Sequence, residues 1–108
     1  MLLAFVATTY AHAQLVQFYT GNSLMEKCES DNTWMLCLGY ISGIADAMET
    51  VEHIENLPVE WSFCVPKEVT NFQLRKVVMK HMEENPADQH YGASGIVREA
   101  LHNAFPCR

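Results

Sequence analysis

The chain is short of positive charge: seven Lys and Arg stand against thirteen Asp and Glu in 108 residues, a net charge of -6. A phosphate-backbone or anionic-membrane binder needs the opposite balance, so nucleic acid and membrane surfaces are disfavoured as partners. Outside the N-terminus no apolar run approaches the roughly 18 residues that a membrane-spanning helix requires. No segment alternates with the period of a strand. There is no C-x2-C pair, and cysteine gaps of nine, twenty-seven and forty-three residues fit no zinc ribbon or finger. Glycine-rich phosphate loops, a nucleophile elbow and paired carboxylates are missing too. His53, His81, His90 and His102 never stand four apart, the spacing that sets two imidazoles on one metal. Asp88 and His90 could meet carboxylates of another helix, but the simpler reading is partly exposed helix residues. These absences together remove the usual marks of an active site, and no enzyme, cofactor or metal centre is expected.

What is present describes one exported domain. Residues 1–13 are an apolar stretch closing in Ala11-His12-Ala13, the small-x-small pattern of a signal peptidase site, so cleavage is expected before Gln14. No Lys or Arg precedes that stretch, which predicts an upstream start codon in the same frame. The mature part, 14–108, then holds all four cysteines: Cys28, Cys37, Cys64 and Cys107. An even count in a small exported chain points to disulfides, here two crosslinks stabilising by about 2–4 kcal/mol each. Thiols held in disulfides leave no thiolate for Cys-His catalysis.

The helices show in the spacing of apolar residues. Trp34, Cys37, Ile41, Ile44, Met48 and Val51 recur at steps of three and four, which predicts an amphipathic helix over 34–54. Gly39 and Gly43 on it would each cost about 1 kcal/mol relative to Ala, so another helix is expected to cross there. Ser23–Cys28 reads as a short helix capped by Asn22 or Ser23, joined to the long one by the turn-forming 30–33. Pro58 and the run 59–66 break periodicity and read as an ordered loop over 55–69. Thr70 with Gln73 is a capping box opening a third helix through Leu74, Val77, Val78, His81 and Met82. Asn85-Pro86 reads as the start of a fourth, with Ile96, Val97, Ala100, Leu101 and Ala104 on its apolar face. The expected fold is all-α, a small four-helix bundle with an ordered loop, stapled by disulfides.

Charge is unevenly spread, with eight acids and one lysine over 26–60 against six bases and five acids over 67–108. Such an acidic half keeps a protein soluble and can also steer a basic partner towards it. The stretch Glu55-Asn56-Leu57-Pro58-Val59-Glu60-Trp61 sets carboxylates beside Leu, Val and Trp on a proline-stiffened loop, and Trp is the residue most enriched at binding hot spots. The competing expectation is Trp61 folded down as a lid over the core.

In chain order the landmarks are Leu24–Cys28, Cys37-Leu38-Gly39-Tyr40-Ile41-Ser42-Gly43, Phe63-Cys64-Val65-Pro66 with Val69-Thr70, Pro86, and Ala100-Leu101 running into Phe105-Pro106-Cys107. Their order and spacing over 18–108 resemble the Rap/Tai family of immunity proteins against type VI secretion effectors. The resemblance implies a periplasmic, disulfide-containing helical protein, not an enzyme, often a homodimer, that binds and blocks a peptidoglycan amidase. It supplies no inhibitory motif, so the contact is expected on physical grounds at Glu52, Glu55, Glu60 and Trp61, where a stiff protruding loop can enter a concave cleft at little ordering cost. Of the three cysteine pairings, Cys28 with Cys37 and Cys64 with Cys107 are expected, the first across the turn between two helices, the second tying the loop to the chain end. A different class fits the composition as well: an acid-stress holdase chaperone that exposes Met48, Met79 or Met82 when carboxylates protonate.

Overall fold

The computed structural model describes residues 18–54 and 57–107, the side chains of 53 and 54 excepted. The expected signal segment 1–13 lies outside them. Four helices follow in order: α1 (Gly21–Glu29), α2 (Trp34–Ile54), α3 (Asn71–Glu84) and α4 (Ala93–Ala104), with single 3-10 turns at Val59–Trp61 and Pro86–Asp88. The described residues form no strand, only an isolated bridge between Thr20 and Gly92. The fold is all-α with two disulfides, Cys28–Cys37 and Cys64–Cys107, the expected pairing. Among the described residues no helix is long and apolar enough to cross a membrane.

Each helix start answers the same problem, the N–H groups of the first turn that have no partner inside the helix. In α1 the cap is Thr20 rather than Asn22 or Ser23: its Oγ1 accepts from the Ser23 N–H at 3.2 Å, and Ser23 Oγ accepts from the Thr20 N–H at 2.9 Å. Serine replaces the usual Glu or Gln as the returning half of the box, so the pattern is easily misread from sequence. The next donors of α1 reach across the bundle, Gly21 N–H to the Tyr91 carbonyl at 2.9 Å and Asn22 N–H to the Gln89 carbonyl at 2.8 Å. In return the first donor of α4, the Ala93 N–H, binds the Tyr19 carbonyl at 2.8 Å.

That seam displaces the start of the fourth helix. The carbonyls of Gln89 and Tyr91 are engaged with α1, so the chain turns through a 3-10 segment at Pro86 and α4 begins only at Ala93, with Gly92 as cap, not at Pro86 as its sequence suggests. The seam also requires glycine at position 21. A Cβ there would lie 2.9 Å from both Cα and O of Gln89 and 2.6 Å from Ile96 Cδ1.

The core takes Leu24, Met25 and Cys28 from α1 and, from the predicted faces, Cys37 and Ile41 of α2, Leu74, Val78 and Met82 of α3, and Ile96, Val97, Ala100 and Leu101 of α4, while Val51 and Ala104, expected on those faces, are exposed. Arg75 of α3 bridges to α1 by donating from Nη2 to the Cys28 carbonyl, where a cation suits the helix C-terminus. One expectation fails. Among the described residues Gly39 and Gly43 meet no crossing helix, since a Cβ built on either finds nothing within 4 Å. Each stands two residues from a buried core position, Cys37 or Ile41, which is about 200° around the helix, so the glycines face outward.

Candidate partner-binding surface

The loop after α2 is stiff from its own chemistry before anything packs on it. Pro58 holds extended geometry, and the turn closes through the Trp61 N–H to the Pro58 carbonyl at 2.9 Å and the Ser62 N–H to the Val59 carbonyl at 3.2 Å. Ser62 Oγ donates to the same Val59 carbonyl at 2.9 Å. α4 then fastens the loop from outside. Arg98 Nη1 donates to the Glu60 carbonyl at 3.2 Å while its guanidinium stands 4.5 Å from the centre of the Trp61 ring. One turn along, His102 Nδ1 donates to the Ser62 carbonyl at 2.7 Å. The loop ends where the Cys64 N–H binds the Phe105 carbonyl at 2.8 Å and Cys64 is crosslinked to Cys107.

On this platform Trp61 is neither buried lid nor free side chain. It is 52% exposed, one side held by Arg98, and it lines a crevice with Met48, Glu52, Leu57 and Phe63. Val59 and Glu60 are exposed on the same turn. The structure therefore brings Glu52 and Trp61 to one crevice and sets Glu60 on its outer side, while Glu55 lies outside the described residues. Holding the indole between a cation and a crevice wall reduces the rotamer freedom that binding would otherwise remove.

Beside the crevice runs a groove of about 610 Å³. Asp46, Glu49 and Glu52 of α2 form one wall, residues 63–67 the other, and Phe63, Val65, Val69 and Leu74 contribute the apolar lining. Asp46 and Glu49 do not belong to the expected set, although their spacing of three with Glu52 is readable in the sequence. Arg98 and His102 had no such signal, since their partners lie 38 and 40 residues away.

The histidines do not gather. His81 is half-buried on α3, His90 stacks on Tyr91 with ring centres 4.1 Å apart, His102 holds the loop, and the His53 side chain lies outside the description. Among the described residues the grouping with metal-ligand geometry is Glu52, Cys64 and Cys107. Its two sulfurs are bonded to each other and so offer no thiolate.

A small disulfide-stapled helical bundle whose chief feature is a clamped, partly apolar loop belongs to the class of protein-binding modules. The chain belongs to the Rap1a immunity proteins, whose family model matches residues 20–107. No curated protein and no solved structure matches it.

Proposed function

We propose that this member of the Rap1a immunity proteins, whose role is to bind a partner effector, binds a peptidoglycan amidase delivered by type VI secretion, that binding occurs in the periplasm after removal of residues 1–13, and that the protein acts as an inhibitor without catalysis of its own. The family match carries the immunity role, and the clamped loop supports the inhibitor reading: an exposed, preordered turn suits the concave cleft of a hydrolase. Glu52, Glu60 and Trp61 are the contact residues, with Glu55 beside them in the sequence. The test is copurification with a type VI amidase effector, sought among the genes beside this one, followed by peptidoglycan digestion. A stoichiometric complex and arrested digestion are expected. Free amidase that digests at full rate in the presence of excess immunity protein refutes the reading, and protection of unrelated clients only below about pH 4, where carboxylates protonate, favours a holdase instead.

The homodimer expected from the family resemblance has a candidate face in the outward stripe Leu36, Gly39, Gly43 and Ala47 on α2, all four exposed. Small residues there let a second backbone approach closely. Sedimentation at micromolar concentration checks it, a monomer being the contrary result.

A further inference from the structure

We propose that the groove between α2 and the segment 63–67 is a docking channel for an extended basic segment of the protein partner, one that alternates Lys or Arg with apolar residues. The proposal takes the partner's class from the immunity reading and adds a second surface beside the loop, with the chemistry of what enters it.

Asp46, Glu49 and Glu52 rise along one wall at three-residue steps, which spreads three carboxylates over about 9 Å of helix. In an extended peptide, side chains on one face repeat every 7 Å or so, and flexible cationic side chains two residues apart cover that length of wall. The lining between the walls is apolar through Phe63, Val65 and Leu74. A Lys or Arg side chain has the matching build, an aliphatic stem with a charged head, so its stem can lie on the apolar lining while its head meets the wall. Among the described residues the three carboxylates make no ion pair, the pair found being Lys80 with Glu84, and Lys67 is the cation lining the groove. Three acids against one base leave the channel complementary to a cationic guest. The wall opposite α2 is held by the Cys64–Cys107 bond and by the Cys64 N–H on the Phe105 carbonyl, so the channel exists before the guest arrives.

The probe is a synthetic peptide, acetyl-Lys-Leu-Lys-Val-Lys-amide, titrated into the isotope-labelled oxidised chain, with acetyl-Glu-Leu-Glu-Val-Glu-amide as its counterpart. Amide shifts are expected at 45–52 and 63–69 with the basic peptide alone. The double variant Asp46→Asn with Glu49→Gln, its helical circular dichroism unchanged, is expected to bind at least fivefold more weakly. Shifts centred elsewhere, or equal binding by the double variant, overturn the proposal. With the amidase the same variant should associate at least fivefold more slowly and lose much of its salt dependence. If the amidase binds both forms at one rate, the groove proposal falls and the immunity reading stands. If the unaltered chain captures no amidase, the immunity reading falls and the peptide titration still decides the groove.

Discussion

The two disulfides divide the molecule into regions stabilised in different ways. Cys28–Cys37 joins residues nine apart, and both are fully buried among Leu24, Ile41 and Val78. Cys64–Cys107 closes forty-three residues with Cys64 exposed, beside the loop and the groove. On loop closure alone the longer crosslink restricts the unfolded chain more, by about 4 kcal/mol against roughly 2.5 for the shorter. The short one adds packing, since its sulfurs fill core volume. Around Cys28–Cys37, then, burial in the core holds the structure, whereas at the loop end an exposed covalent bond joins the hydrogen bonds from Arg98, His102 and the Phe105 carbonyl in holding it. A binding surface needs exposed apolar groups held still, and a crosslink supplies that rigidity without burying them.

The sharpest way to break this contrast is reduction under native conditions. Thiol attack needs access to a sulfur, so Cys64–Cys107 should open on the order of a thousandfold faster than Cys28–Cys37, which must wait for the core to open. Timed alkylation and peptide mapping would show both sulfur pairs reacting together if the two regions were equally exposed. Next in size is Gly21→Ala. Its Cβ would press on the Gln89 backbone, so unfolding free energy should fall by about 3 kcal/mol in urea titrations, as for an overpacked site. A loss below a few tenths of that would mean that the seam yields and is no rigid feature.

At the loop end, Trp61→Ala should cost roughly 2 kcal/mol of effector affinity, mostly through faster dissociation. The loss of its contact with Arg98 should lower stability by under about 1 kcal/mol. An unchanged affinity with a melting point several degrees lower would return Trp61 to the role of lid. Gly43→Ala is expected to stabilise the isolated chain by up to about 1 kcal/mol, because its Cβ enters open space on a regular helix. A destabilised Gly43→Ala protein would show that something covers that face, and a second copy is the candidate.

The smallest effect belongs to Tyr40, whose phenol titrates above the usual range because burial penalises its charged form, with Tyr19 adding and Ser94 opposing. A raised native pKa means that the unfolded chain loses this proton first. Stability should therefore be intact below pH 10 and decline as pH rises through the native value. Thermal melts of Tyr40→Phe should lack that alkaline component, and an identical pH profile in both proteins removes Tyr40 from the account.

The readable parts were those written in short spacing. Helix α2 has the bounds that its period predicts, and the Thr70 and Gln73 box forms with bonds of 3.2 and 2.8 Å. The outward turn of Gly39 and Gly43 was also within reach of the sequence, since the period that puts Cys37 and Ile41 inside puts residues two further on outside. A glycine in a helix can mark a close neighbour, but on α2 the two mark an open face. The candidate site divides in the same way: Glu52, Glu60 and Trp61 stand out by residue type, Asp46 and Glu49 lie outside the expected set although their spacing is readable, and nothing local links any of them to Arg98, His102 or the 63–67 wall.

The sequence by itself determined the all-α class, the helix faces, the crosslinked character and the acidic half, because each depends on residue type and on periods of three or four. Only the tertiary structure decided where α4 begins, why residue 21 must be glycine, and how the loop is held. Those depend on donors and acceptors brought together across long stretches of chain, such as the Gln89 carbonyl on the Asn22 N–H and Arg98 on Glu60. Hydrogen-bond satisfaction is a property of the folded whole, and a one-dimensional pattern records which groups need partners without recording which ones they find.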